Sequence, residues 1–216
     1  MTSKPTATSA TETDTSQVTS RRPSRLLLMG PPGAGKRTQG VSLAQQLKIP
    51  ALSTGELFRN MMSNDTPLAA RLRNVVAYGG YVDDDITNAA VDRRLNSREC
   101  RTGFLIYGYP RTLNQVHHLD QLLEQQQAQL DAVVYFKMGD DELVDRLLAR
   151  EEQLGRIDDR ADTIRTRLAL FHEQTEPLID RYSTRGIVAT IDAGGSFDQV
   201  ADRISAALSQ LARSRS

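Results

Sequence analysis

The sequence contains very little cysteine and no tryptophan. Cys100 is the single cysteine among 216 residues, and aromatic residues make up 5% of the chain. One cysteine rules out an intramolecular disulfide and a cysteine-based zinc cluster. We therefore expect Cys100 to be a passive thiol in a reducing compartment, and the protein to be cytoplasmic.

Net charge and long apolar runs are absent as well. The 27 Lys and Arg residues balance the 27 Asp and Glu residues. A neutral chain lacks the field that draws general nucleic-acid or membrane-surface binders to their targets, so we expect no nucleic acid and no membrane as a partner. We also expect neither a membrane span nor a secretory leader, because no apolar run approaches roughly 20 residues. Hydrophobic residues form 39% of the chain, enough for one well-cored domain with small inserted lobes.

The first 24 residues are dominated by Ser, Thr, Ala and Pro. Such a segment buries too little apolar surface to offset its ordering entropy, which predicts a disordered tail over 1–24. A transit peptide is the alternative, because the segment is rich in hydroxyl residues and contains Arg21 and Arg22. Glu12 and Asp14, together with the lack of an amphipathic apolar face, weigh against that alternative.

Short apolar strands alternate with helical patterns from residue 25 onward. This alternation predicts an α/β fold with a five-stranded parallel sheet and helices on both faces. Ligands in such folds bind beyond the carboxyl ends of the strands. Strands are predicted at 26–29, 49–52, 103–107, 132–137 and 186–191. Helices are predicted from 36, from 53 or 54, over 67–77, from 83–85 to 95, over 112–127, from 140, from 158 and over 197–211.

The segment after the first predicted strand has the pattern of a phosphate-binding loop. Gly30 and Gly35 are followed by Lys36, in the strand–loop–helix context that such a loop needs. Glycines let backbone N–H groups turn towards phosphate oxygens, the start of the helix attracts the same anion, and the lysine adds a point charge. The generic pattern G-x-x-x-x-G-K-S/T fails by one position, because Arg37 precedes Thr38. A Gly- and Pro-rich turn without a ligand is the alternative.

Arginines recur at positions suited to a transferring phosphoryl group, which chiefly needs positioning and positive charge. Arg111 stands at the carboxyl end of a predicted strand. Arg146 and Arg150 are four residues apart and share a helix face. Arg156 and Arg167 share a face as well if their helix extends back to Arg156. Ordinary surface arginines with acidic partners are the alternative.

Three consecutive acidic residues, Asp83, Asp84 and Asp85, begin a predicted helix. Carboxylates in a first turn suit the helix dipole. We interpret them as a solvated helix start rather than as a metal site.

Four motifs of the chain resemble the adenylate kinase family, in the order that this family has them. The resemblance as a whole covers residues 25–211. The motifs lie at 30–39 (the phosphate loop), at 53–59 (the start of the monophosphate-binding lobe), at 108–115 (a second substrate signature) and at 155–167 (the lid segment). The resemblance implies a phosphate-loop kinase core over 25–216, with a nucleoside-monophosphate (NMP) lobe at 53–82 and a short lid at 150–160.

The resemblance implies a role for each matching residue. One group would hold ATP: Gly33, Ala34, Gly35, Lys36, Arg37, Thr38, Arg146, Arg150 and Gly195. A second group would hold AMP: Thr54, Arg59, Gly80, Tyr81, Val82, Gly108, Tyr109, Pro110, Arg111, Gln115, Arg156 and Arg167. The transferring phosphoryl group would be surrounded by Lys36, Arg111, Arg146, Arg150, Arg156 and Arg167. No side chain is implied as a direct metal ligand.

The implied activity is reversible transfer of the terminal phosphoryl group of ATP to AMP, giving two ADP, by a monomer. A weakly active or inactive nucleotide-binding paralogue with a regulatory role is one alternative, and a UMP or CMP kinase is another. Thr54 and Gln115 resemble the adenine-reading pair of the family. A site built to hydrogen-bond one base disfavours a base that leaves its polar groups unpaired.

Two residues depart from the family pattern. Arg37 stands where the family has glycine, and Tyr107 stands where the family has an aspartate that reaches the water shell of the Mg²⁺ bound with ATP. Tyrosine cannot supply that carboxylate. The departures predict weaker organisation of Mg²⁺ and lower turnover than in an ordinary family member, with Arg37 as a partial substitute cation.

Overall fold

A computed structural model of the chain describes residues 24–214. The tail expected at 1–24 lies outside the described residues, apart from Ser24, which begins the first strand. None of the helices in 24–214 is long and apolar enough to cross a membrane.

The centre of the molecule is a five-stranded sheet in which all neighbouring strands are parallel. The strand order is β2-β3-β1-β4-β5. This arrangement confirms the predicted α/β fold class and puts the ends of β1, β3 and β4 side by side at one edge. The strands are β1 Ser24–Met29, β2 Ala51–Ser53, β3 Gly103–Tyr107, β4 Ala132–Lys137 and β5 Val188–Asp192.

Nine α-helices connect and cover the strands within the described range. They are α1 Lys36–Leu47, α2 Thr54–Met62, α3 Pro67–Ala77, α4 Asp84–Leu95, α5 Leu113–Gln125, α6 Asp140–Leu154, α7 Ala161–Leu170, α8 Leu178–Ser183 and α9 Phe197–Ser214. Several begin at side-chain caps: Ser53 Oγ accepts a hydrogen bond from the Glu56 amide, and Thr66 does the same for Ala69 ahead of Pro67.

The helix expected from Asp158 begins later than predicted. Residues Ile157–Asp159 form a 3-10 turn, and α7 starts at Ala161. Arg156 therefore lies outside that helix, so the condition under which it would share a helical face with Arg167 is not met. Aspartates compete with helical hydrogen bonding through their side chains, and here Asp158 and Asp159 accept hydrogen bonds from arginines instead.

The apolar core has two halves, one on each face of the sheet. Alternate residues of β1 point to opposite sides, so Leu27 and Met29 belong to one half, whereas Leu26 and Leu28 belong to the other. β3 is buried along its whole length, as a strand covered on both faces should be. A third, small cluster of Phe58, Leu72 and Val82 packs within the segment after β2. The rigid sheet thus presents its carboxyl edge to the loops that follow β1 and β3.

Candidate active site

The loop between β1 and α1 wraps around the side chain of Lys36. Gly33 and Gly35 have φ values of 90° and 82°, in the left-handed region that favours glycine. The Lys36 ammonium donates hydrogen bonds to the carbonyls of Gly30 (2.7 Å) and Pro31 (2.5 Å). Burial lowers the pKa of Lys36 well below its usual value, and repulsion from nearby arginines adds to this effect. An anion bound beside Lys36 would stabilise the charged form of its ammonium group.

Two aspartates of the 3-10 turn hold three of the predicted arginines together. Asp159, which is fully buried, accepts two hydrogen bonds from Arg150 at 2.6 and 2.7 Å and one from Arg167 at 2.6 Å. Asp158 accepts two from Arg156 at 3.1 and 2.8 Å. Burial alone would raise the pKa of Asp158, but the hydrogen bond from Arg156 and the charge of Arg167 lower it. The carboxylates thus offset part of the repulsion within the arginine cluster.

A cleft of about 690 Å³ opens beside the phosphate loop at the carboxyl edge of the sheet. Its floor is formed by residues of the loop, and its walls carry many cationic side chains. Arg146 on α6 is oriented by an ion pair to Glu142 (2.7 Å) and by the carbonyl of Ala193 (3.4 Å). The cationic side chains lining this cleft are Lys36, Arg37, Arg59, Arg111, Arg146, Arg150, Arg156 and Arg167.

A second cavity of about 310 Å³ adjoins the first, between α2, the turn after α3 and the loop after β3. Gln115 is buried there, and its amide is fixed from both ends. Its Oε1 accepts a hydrogen bond from the Arg111 amide (2.7 Å), and its Nε2 donates to Asp84 (2.6 Å). Thr54 is also buried, and its hydroxyl donates to the carbonyl of Gly108 (2.7 Å). These two polar side chains can read the edge of a bound base.

Arg111 stands where the two cavities meet. Its Nε donates to the carbonyl of Gly108 (2.9 Å), and its guanidinium lies 5.0 Å from the ring centroid of Tyr81. The Tyr81 hydroxyl is 2.8 Å from the Thr175 hydroxyl, which also donates to the Arg111 carbonyl (2.9 Å). Thr175 belongs to a π-helical turn, Phe171–Thr175, a local geometry often found at functional sites. Contacts from three segments therefore position this arginine.

The corner that holds Arg37 and Tyr107 contains one carboxylate, Glu56. Arg37 Nε lies 2.7 Å from Glu56 Oε1, and the Tyr107 hydroxyl donates to the same oxygen at 3.4 Å. Burial and the charge of Glu56 raise the pKa of Tyr107, so the phenol is neutral and a donor. Within 24–214, no group of three or more His, Cys, Asp or Glu side chains is placed to hold a metal ion. Because Tyr107 is a neutral phenol and the Glu56 carboxylate is paired with Arg37, the residues of this corner do not fit a carboxylate site that orients a hydrated Mg²⁺ ion.

Most of the predicted site residues line one or both cavities. Two line neither cavity: Ala34, which is buried, and Gly195, which lies after β5. Tyr109 lines the larger cleft, but its ring is buried in the core, where its hydroxyl donates to Asn88 at 2.9 Å. Of the predicted site residues, those that line the smaller cavity are Thr54, Arg59, Gly80, Tyr81, Val82, Gly108, Arg111, Gln115, Arg156 and Arg167. Gly33, Gly35, Thr38 and Pro110 line the larger one.

Several acidic residues of the site were not predicted from the sequence. Asp84 was expected to be part of a solvated helix start, but it is half-buried and also accepts hydrogen bonds from Thr112 (2.9 and 3.1 Å). Asp158 and Asp159 alternate with arginines in the sequence, and that alternation could have indicated ion pairs. The partner of Arg37, Glu56, gives no comparable signal because the contact joins two different helices.

Known families and proteins match most of the chain. A sequence profile described as Adenylate kinase matches residues 28–187. The adenylate kinase of Kocuria rhizophila is 45% identical over 184 residues, which cover 85% of this chain and 98% of that protein. The adenylate kinase of Pseudarthrobacter chlorophenolicus is 42% identical over 184 residues, covering 85% of this chain and 96% of that protein. All residues that line the two cavities fall within the range that the profile matches.

Proposed function

The chain belongs to the adenylate kinase family, and we propose that it transfers the terminal phosphoryl group of ATP reversibly to AMP, giving two ADP. The observation that carries this proposal is the wall shared by the two cavities. Arg59, Arg111, Arg156 and Arg167 line both of them. A cation at that position can contact phosphates from either side, as a group in transit between two nucleotides requires.

ATP would bind in the larger cleft, with its phosphates on the loop 30–38. Backbone N–H groups and the start of α1 would face the phosphate oxygens. Lys36 would exchange its two carbonyl acceptors for those oxygens, which favours the charged ammonium. Arg146 and Arg150 would lie along the outer phosphates, where negative charge spreads during transfer.

AMP would bind in the smaller cavity, with its base near Thr54 and Gln115. Both side chains are held by hydrogen bonds before any ligand arrives, so the site is pre-organised for one pattern of donors and acceptors. A pyrimidine would leave some of these groups unpaired. This supports AMP as the acceptor over UMP or CMP.

The family resemblance implies that Mg²⁺ accompanies ATP. Because the corner around Tyr107 does not fit an oriented metal, no step of the proposed reaction is assigned to one. The chain's own contribution is to bind both nucleotides, align them in line and surround the transferring group with arginines.

Closure would exclude water from the reacting group, since ATP would otherwise be hydrolysed. We assign this movement to the NMP lobe at 53–82 and the short lid at 150–160. Both segments carry cavity-lining residues, which supports the assignment. We further propose that the protein is a monomer, since one chain supplies both cavities. We also propose that it is cytoplasmic.

A coupled assay with purified full-length protein tests the proposal. ATP and AMP together should yield two ADP for each ATP consumed, whereas UMP or CMP in place of AMP should give little product. The assay is run over a magnesium titration that includes chelator. Binding of ATP without product from any acceptor would favour the regulatory alternative instead.

A further inference from the structure

Three side chains meet at the rim of the larger cleft, beside the phosphate loop. Glu56 is the common partner of Arg37 and Tyr107, with Nε–Oε1 and hydroxyl–Oε1 distances of 2.7 and 3.4 Å. We call these three residues the rim triad. The Tyr107 ring is buried and fixed at the end of β3, so the triad is anchored to the sheet.

The ion pair uses only one side of the Arg37 guanidinium. Its Nε faces Glu56, and its two terminal nitrogens make no hydrogen bond to any residue that the structure describes. Arg37 lines the cleft, and its side chain is 61% exposed. The fork of the guanidinium is therefore free to bind phosphate oxygens in a bidentate manner.

The charge of the cleft favours an anion without its metal. Eight cationic side chains line it, and none of its described lining residues is acidic. Five of the eight are paired with carboxylates behind the lining, whereas Lys36, Arg59 and Arg111 have no ion pair among the described residues and leave the cleft with an excess of positive charge. Metal-free ATP carries more negative charge than its Mg²⁺ complex, and a divalent cation beside Arg37 and Lys36 would be repelled. The one carboxylate at the rim is already engaged by Arg37 and Tyr107.

We propose that this chain binds ATP without a divalent cation at least as tightly as it binds the Mg²⁺ complex, and that Arg37 of the rim triad provides the positive charge in place of an oriented metal. Glu56 and Tyr107 act as positioning residues that hold Arg37 at the phosphates. The inference rests on the proposed function, because it takes the larger cleft as the ATP site.

Isothermal titration calorimetry of the full-length protein with ATP, in excess EDTA and in excess MgCl₂, measures the two affinities. In the wild type, the dissociation constant in EDTA should equal or fall below that in MgCl₂. Arg37→Gln should weaken binding of metal-free ATP about tenfold, as expected for loss of one charge-assisted contact, and should weaken the Mg²⁺ complex less. Tyr107→Asp should shift the ratio of the two affinities about tenfold towards the Mg²⁺ complex.

Arg71→Gln is the matched control. Arg71 is 62% exposed and ion-paired to Asp83, but it lines neither cavity, so its replacement should leave both affinities unchanged. Thermal unfolding by circular dichroism verifies that each variant is folded. A wild type that binds the Mg²⁺ complex tenfold more tightly than metal-free ATP would overturn the inference, and so would an Arg37→Gln variant that matches the control. Formation of two ADP in the same preparation would then leave the proposed function standing.

Discussion

At the scale of single residues, the hydrogen bonds of Gln115 determine how its amide faces the smaller cavity. Asp84 accepts from Nε2, and the Arg111 amide donates to Oε1, so the amide has one orientation. Gln115 therefore presents a fixed pattern to a bound base. We therefore expect Asp84, which lines neither cavity, to influence base specificity through this glutamine.

Asp84→Ala should raise the KM for AMP about tenfold with a smaller effect on kcat, because the freed amide loses its fixed orientation and the loss corresponds to about one hydrogen bond. Steady-state kinetics with AMP and UMP as acceptors measure this change, and discrimination between the two should narrow. Asp85→Ala is the control: Asp85 is exposed in the same helical turn, so the two variants share any effect of the helix dipole. Equal KM values in the two variants would contradict the assignment.

The same residues explain what the sequence could and could not predict. The phosphate loop and the five strands follow from local patterns, because apolar runs and glycine spacing act over a few neighbouring residues. The Gln115–Asp84 bond joins residues 31 apart in the chain, and it forms only after α4 and α5 have packed. All of the predicted arginines line the larger cleft, but a partner such as Glu56, on a different helix from Arg37, depends on tertiary packing that no local pattern encodes.

At the scale of elements, the π-helical turn Phe171–Thr175 follows α7 and contacts the start of α6 through the side chain of His172. His172 Nδ1 lies 2.7 Å from Glu176, and its Nε2 lies 3.1 Å from Asp140 on α6. Tyr135 on β4 donates to the other oxygen of Glu176 (2.6 Å). The hydrogen bond with Glu176 raises the pKa of His172, and Asp140 adds to the effect, against a smaller opposing effect of burial. The imidazolium therefore links three elements.

Because the pKa of His172 is higher in the folded than in the unfolded protein, its charge stabilises the fold at low pH. This contribution is fully present below the unfolded pKa of about 6.5, and it is lost as pH rises through the folded pKa. His172→Gln should lower the free energy of unfolding by under about 1 kcal/mol near pH 5.5, since the site is partly solvent-screened, and by less near pH 8.5. Urea unfolding at both pH values measures the difference. His117→Gln, at an exposed position on α5, is the control for loss of a histidine.

At the scale of the whole molecule, the segment 53–82 rests against α7 through a close backbone approach. A Cβ added to Gly79 would lie 2.9 Å from the Thr163 carbonyl oxygen, and the Thr163 hydroxyl donates to the Ala77 carbonyl at 2.9 Å. Gly79 also has φ of 75°. The contact joins the lobe that we assign to AMP with the helix that carries Arg167.

Gly79→Ala should destabilise the protein by about 1–3 kcal/mol and raise the KM for AMP, because the lobe must move away from α7. Gly186→Ala is the matched control. Gly186 has a similar φ of 66°, but an added Cβ would meet nothing within 4 Å, so that variant has only the cost of the backbone conformation. Chemical unfolding and AMP titrations compare the two. A Gly79→Ala variant that behaves like Gly186→Ala would show that the close approach has no influence on the lobe.

Asp158 and Asp159 have a consequence for every ligand that enters the site. Their carboxylates accept hydrogen bonds from the guanidinium groups of Arg150, Arg156 and Arg167, the arginines that we assign to phosphate binding. The carboxylates of Asp158 and Asp159 thus compete with a phosphate for these arginines. A phosphate that used the same guanidinium nitrogens would exchange partners with these carboxylates, so its affinity would reflect the difference between two anionic partners.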